Sequence, residues 1–481
     1  MVAQNNNHME TYEWDAALDT IELGGWSPGI SLGFQCYGDN REVFQLTTDR
    51  LRHTYVLGGT GSGKSTSLAW MALQDIKAKT PIVMFDSGDL IRRLVRQLDK
   101  EYLDDLIVVD FSDLDNHVRF NLFDVDIDNK TAVDRASEEI IYLLTGDVPP
   151  SYAGPRYEQK MRTAIYTVFD RGFPYERSVL CAIRLIMDKQ YRIDVLRTIE
   201  DPKVIRSWKM EELASKSNDY GDYQQWVYCK SDIFENNLAL RLFYGAGNTT
   251  LDIVKEMVGS KSMLFIIDES VLGPKVTAIL RRHLTRMTKE GVMLRSSLGE
   301  EQLTPRFLYF DEFQQYVTCD SVPELFNWSR KYKIGISAAN QNLRQLNQYN
   351  RQTETMSTEV LESVLANAGT LITFRPSASD AERLAPEFDL KPEELRRVPR
   401  YSATVRLLSD GQPLKPVVVK VPMDRGPFFK DNREILLKLM VEKGILVSRK
   451  DSSSDHTGKL HDDCSGKTDE PDSVIGDNQG I

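Results

Sequence analysis

The chain has 481 residues, 41% hydrophobic and 27% charged, with a net charge of −11. That length accommodates two or three domains, and the composition is ordinary for a soluble globular protein. No apolar run approaches the roughly 18 residues of a membrane span, and the N-terminus, MVAQNNNHMETYEW, lacks the basic and apolar regions of a signal peptide. The five cysteines (Cys36, Cys181, Cys229, Cys319 and Cys464) show neither a pairing framework nor metal-ligand spacing. A reduced, cytoplasmic compartment is expected.

Residues 1–49 read as a short strand and loop segment ahead of the first strong motif. In TYVLGGTGSGKST, residues 54–66, an apolar strand runs into Gly58, Gly59, Thr60, Gly61, Ser62, Gly63, Lys64 and Ser65, a full G-x-x-x-x-G-K-[ST] match; these residues and Thr66 are expected to bind nucleotide, and a helical pattern follows. The glycines let backbone N–H groups turn inward around phosphate oxygens, and the helix N-terminus adds partial positive charge. Lys64 is expected to reach the β- and γ-phosphates and Ser65 to hold Mg²⁺. Further short apolar segments follow at PIVMF (81–85) and LIVVDF (106–111), so residues 50–130 read as the first part of an ATPase core.

From 131 to 243 the pattern turns helical (SEEIIYLL, YEQKMRTAIYTVF, SVLCAIRLIM, NNLALRLF), as expected for an all-helical domain inserted between strands. The strand rhythm resumes over 244–425 with SMLFII (262–267), RFLYF (306–310), IGISAA (334–339) and TLITF (370–374). SATVRLLSDGQPLKPVVVKV (402–421) reads as two strands joined through Asp410-Gly411. Several segments are apolar on both faces, which marks strands covered by helices. The expected fold is therefore α/β, a mostly parallel sheet. A C-terminal helix is expected within 426–450. Residues 451–481 carry eight acids against two lysines, a net −6 with almost no large apolar residue, and read as a disordered acidic tail.

RFLYF ends in two adjacent carboxylates, Asp311 and Glu312. Like charges at a strand end raise each other's cost of ionisation, so a cation nearby is expected. Given the phosphate motif, Asp311 is assigned to Mg²⁺ and Glu312 to polarising a water for attack on the γ-phosphate. Such a pair favours repeated hydrolysis. With no N-K-x-D guanine signature, ATP is expected over GTP. Basic clusters at 281–295, 330–333 and 396–400 read as solvated faces before DNA contacts.

These motifs in this order resemble the HerA/FtsK-type ring ATPases, and within them the TraG/TraD-type coupling proteins of conjugation and type IV secretion. The resemblance spans residues 45–425. It is carried by GGTGSGKST, DSGDL (86–90), FNLF (120–123), FIIDESVLG (265–273), DEFQQY (311–316), SRKYKIG (329–335), AANQNLRQL (338–346) and LANAGTLITFR (365–375). It implies a RecA/FtsK-like P-loop fold and a homo-hexameric, Mg²⁺-dependent ATPase that pumps double-stranded DNA with low sequence specificity. Gln341 would then lie near the γ-phosphate, and Arg330 would act across a subunit boundary. Arg375 is a weaker candidate for such an arginine, and Asn367 reads as a helix-end residue. A protein partner, either a relaxase or secretion component or a nuclease, is implied too. The N-terminal β-barrel of HerA proteins and the membrane segments of coupling proteins are not expected here. The alternatives are a HerA-type motor for DNA-end processing or anti-phage defence, and an ATP-regulated docking platform that moves no DNA.

Overall fold

The computed structural model describes residues 29–38, 40–145, 155–214, 232–317, 319, 321–350, 355–409, 411–422 and 432–449. Residues 1–28, Asp410 and the acidic tail expected at 451–481 lie outside them.

The principal sheet has eleven strands. In chain order they are β1 (Gly29–Gln35), β2 (Glu42–Leu46), β3 (Thr54–Leu57), β4 (Ile82–Asp86), β5 (Leu106–Asp110), β6 (Ser262–Ile266), β7 (Arg306–Phe310), β8 (Ile334–Asn340), β9 (Thr370–Phe374), β10 (Ser402–Arg406) and β11 (Val417–Lys420). Their spatial order is β2-β1-β11-β10-β9-β3-β8-β7-β4-β6-β5. From β9 across to β5 every pairing is parallel, and from β9 back to β2 every pairing is antiparallel. Each apolar segment expected to form a strand does so. Residues 29–46, part of the N-terminal strand and loop segment, join this sheet as β1 and β2. β1 covers the edge that β11 would otherwise leave open, with Phe34 opposite Lys420.

The parallel strands are apolar on both faces because both are covered. Val56, Met84, Leu264 and Tyr309 point to one face, where α1 (Lys64–Lys77) and α2 (Asp89–Arg96) pack. Tyr55, Leu57, Phe85, Phe265 and Phe310 point to the other, alternating as a pleated strand must. Between β5 and β6 the described residues form α3 (Lys130–Thr145), α4 (Pro155–Phe169), α5 (Val179–Met187), α6 (Lys189–Leu196), α7 (Pro202–Ala214) and α8 (Leu238–Tyr244), besides short turns and a two-residue ladder. Their apolar interior runs without a break onto the second face, through contacts such as Phe111 on Phe243 and Phe265. Among the described residues no helix is long and apolar enough to cross a membrane.

The first basic cluster departs from its reading as a solvated face. It lies on α9 (Pro274–Leu294) and the turn after it, and Arg281, Arg282 and Arg295 are buried. Arg281 pairs with Glu269 at 3.0 Å and Arg286 with Glu139. Arg295 donates to the carbonyls of Met257 and Tyr332 at 3.0 and 3.1 Å. These cations serve packing and leave little charge for a polyanion.

A buried polar knot ties α1 to the sheet. Arg50 donates twice to Asp75, at 2.7 Å each, Tyr309 donates to the same carboxylate at 2.6 Å, and the guanidinium stacks 3.5 Å from the Phe307 ring centroid. Both partners of the ion pair are 2% exposed. Removing one partner of such a pair strands the other charge in a medium that cannot solvate it. Asp75→Ala is expected to lower stability by about 3 kcal/mol or more, read as a shift in urea midpoint. Lys79→Ala, breaking an exposed 3.7 Å pair with Asp105, should hardly move it.

Candidate nucleotide site

Parallel pairing brings the C-terminal ends of β3, β8, β7 and β4 to one edge of the sheet. The turn from Gly58 to Gly63 lies at the end of β3, and α1 starts at Lys64. Two of its glycines have steric reasons to be glycine. A Cβ on Gly58 would stand 2.6 Å from Phe374 and 2.7 Å from Ser62 Oγ, and one on Gly63 would meet the Phe374 ring at 2.9 Å. Gly63 also has φ +121°, a region that side chains disfavour. Gly59, Thr60 and Gly61 are exposed along the rim, and Ser65 and Thr66 are half-buried in the first turn of α1.

Inside the turn, Lys64 is buried at 5% exposure, and its Nζ makes one long contact, 3.4 Å to the Gly59 carbonyl. Burial lowers its pKa, while the Glu312 and Asp311 charges oppose that shift. Ser62 Oγ is buried with no hydrogen-bond partner among the described residues. A cradle lined by glycines, holding an under-coordinated ammonium and an orphan hydroxyl at a helix N-terminus, fits a polyphosphate.

Ser65 Oγ donates to Asp311 Oδ2 at 2.7 Å, joining residues 246 positions apart. The two lie one strand apart, as a shared cation would require. Asp311 is buried, and burial pushes its carboxyl up to about 6; the Ser65 hydrogen bond opposes this, and the Asp86 and Glu312 charges add to it. Asp86 had no role assigned from sequence. It ends β4 directly beside Asp311, because Phe85 pairs with Phe310. One of its oxygens accepts the N–H groups of Gly88, Leu90 and Ile91 at 2.8, 2.9 and 3.1 Å. Such a set of amides holds a carboxylate ionised against burial, although burial dominates and its pKa is raised. Two buried acids side by side match a divalent cation, and Ser65 and Asp311 could hold Mg²⁺ there.

Glu312 is half-buried and adopts the left-handed conformation, φ 52°. Gln341, one residue past β8, donates to both Glu312 oxygens at 3.3 Å. Arg330 does not join this group. It is exposed in the turn Ser329–Tyr332 before β8, so the length of β8, about 20 Å for seven residues, separates it from Gln341. Arg375 follows Phe374 at the P-loop edge of the sheet, exposed, with Nη2 on the Val398 carbonyl at 3.0 Å. Asn367 ends the helix Glu359–Asn367, its amide on Asn327 Oδ1 at 3.1 Å and the Ser363 carbonyl at 2.8 Å. Phe374 and Gln314 are also part of this neighbourhood. Both lie within motifs that carry the resemblance, but no role follows for either from sequence, since each gains meaning only from a neighbour in space.

A family model described as Type IV secretory system Conjugative DNA transfer matches residues 25–146. No curated protein matches the chain in sequence. Among solved structures, the unbound bacterial conjugative coupling protein TrwBdeltaN70 is 14% identical, with 80% of this chain and 89% of that one covered at TM-score 0.54. The plasmid coupling protein TrwB in complex with ADP and Mg²⁺ is 15% identical over 81% and 90% at TM-score 0.53. VirB4 of Thermoanaerobacter pseudethanolicus is 13% identical over 82% and 97% at TM-score 0.53. The family model covers residues 25–146 only, and the solved structures share this chain's P-loop NTPase fold.

A proton would compete with a metal ion for Asp311 if that carboxylate holds Mg²⁺. Mg²⁺-dependent nucleotide affinity should therefore weaken as pH falls through about 6 and level off above it. Calorimetric titration of ADP with and without Mg²⁺, between roughly pH 5 and pH 8, checks this. Asp311→Asn should remove both the Mg²⁺ dependence and its pH dependence.

Proposed function

We propose that the chain is an ATP-hydrolysing motor of the conjugative coupling type, hexameric, which moves double-stranded DNA with low sequence specificity. The observation that carries the ATPase reading is the 2.7 Å contact between Ser65 of the P-loop helix and Asp311 at the end of β7. It supports a reading in which Ser65 and Asp311 share a metal ion and Glu312 stands beside them at one phosphate cradle. Bound Mg²⁺, held by Ser65 and Asp311, would neutralise charge on the β- and γ-phosphate oxygens. Lys64 binds those phosphates from the turn. Glu312 takes a proton from water as its oxygen attacks the γ-phosphorus and ADP leaves. Gln341 turns its amide to the γ-phosphate.

Arg330 stands about a strand length from its own P-loop, so a catalytic role for it requires a neighbouring subunit. A guanidinium supplied there offsets charge developing on the transferred phosphoryl group. That geometry, with the relationship to coupling proteins, supports a ring in which each site is built from two chains. The DNA cargo rests on the family match over residues 25–146, which concerns conjugative DNA transfer. DNA binding would be sequence-independent and lost steeply with salt, as phosphate contacts release counterions.

Turnover of ATP with and without duplex DNA, at several salt concentrations, tests this reading. Stimulation by duplexes of unrelated sequence, fading as salt rises, is expected; turnover indifferent to DNA would leave a docking platform instead. Glu312→Gln should keep nucleotide affinity and lose about a hundredfold or more of turnover. Lys64→Ala should weaken binding as well.

A further inference from the structure

The turn after β7 is pinned on its apolar side. Phe313 and Tyr316 are buried, and their rings lie 5.8 and 5.2 Å from that of Phe310. Between them Gln314 is half-buried and reaches back two residues, Nε2 donating to Glu312 Oε2 at 2.5 Å. The other end of that amide, Oε1, is buried with no hydrogen-bond partner among the described residues. A buried carbonyl without a donor is unfavourable. The amide is thus held in a place that suits Glu312 and not its own oxygen.

Glu312 needs such a restraint. Its backbone is in the left-handed region, φ 52° and ψ 53°, and among the described residues its carboxylate has two side-chain donors, Gln314 and Gln341. The two donors are not equivalent. Gln341 makes the longer contacts, 3.3 Å each, and once nucleotide is bound its amide has the γ-phosphate as a competing acceptor. Gln314 faces no such competition. A neutral amide also aims a carboxylate without forming the ion pair that would blunt a base, as lysine or arginine would.

We infer that Gln314 is a positioning residue for hydrolysis: it holds the Glu312 carboxylate on the attacking water when Gln341 has turned to the phosphate. This rests on the reading of Glu312 as the base. The water oxygen attacks phosphorus, its proton passes to the Glu312 oxygen, and the bond to ADP breaks; Gln314 neither gains nor loses a proton.

The test compares Gln314→Met, close in shape but without donors, with Gln314→His, which keeps a neutral N–H, and with Glu312→Gln. Turnover, KM for ATP and affinity for a non-hydrolysable ATP analogue are measured on the full chain, with melting temperature as a check on folding. Gln314→Met should lose about tenfold or more in kcat, part of what a general base supplies, with KM and analogue affinity within about twofold. Gln314→His should recover much of the loss. If Glu312→Gln is inactive while Gln314→Met turns over normally, the positioning role is wrong and the base assignment stands. Equal losses in binding and turnover, or equal losses in both Gln314 variants, would make Gln314 structural and overturn the inference. Normal turnover by Glu312→Gln would remove both readings together.

Discussion

Parallel pairing obliges neighbouring strands to end on the same edge, and the candidate chemistry follows from that constraint. β3 delivers the Gly58–Gly63 turn, β7 delivers Asp311 and Glu312, and β8 delivers Gln341, all at one edge. The same constraint sends the segment before β8 to the opposite edge. Arg330 is placed there by topology, and no side-chain rotation returns it to its own P-loop. A catalytic role for Arg330, as proposed, would therefore require a second chain.

Electrostatics reinforce the arrangement. Asp86 and Asp311 are both buried where their strands finish, and burial raises the pKa of each. Without compensation that placement is unfavourable. Three backbone amides compensate Asp86, and the Ser65 hydroxyl and the Glu312 N–H compensate Asp311 in part. A divalent cation would complete the balance and draw Asp311 fully into its ionised form. Elsewhere the structure neutralises buried charge internally, as in the Arg50–Asp75–Tyr309 knot. The contrast between a closed knot behind the sheet and an incomplete one at its edge separates scaffold from site.

Much of this was legible in sequence, because the relevant signals are local. Each parallel strand is a short run apolar on both faces, and the phosphate motif sits at fixed spacing between a strand and a helix. β1 and β2 were harder to read: GISLGFQ contains two glycines, and EVFQL alternates with polar residues, so neither announces a place in an eleven-stranded sheet. The arginines of α9 read as a charged surface because their carbonyl and carboxylate partners lie far away in sequence, with Glu139 distant from Arg286 by 147 positions. Gln314 was invisible for a different reason. Glutamine next to an acidic pair has no signature, and only the turn pinned by Phe313 and Tyr316 directs its amide at Glu312.

The proposed ring stands or falls on catalysis shared between two chains, with Lys64, Asp311 and Glu312 from one and Arg330 from the next. The most direct measurement is ATP turnover by co-expressed Lys64→Ala and Arg330→Ala chains, with assembly size verified. At a mixed interface the Arg330→Ala chain supplies an intact P-loop and the Lys64→Ala chain an intact arginine. Turnover should return in mixed assemblies although each variant alone is inactive. Mixed assemblies that form and remain inactive would contradict it.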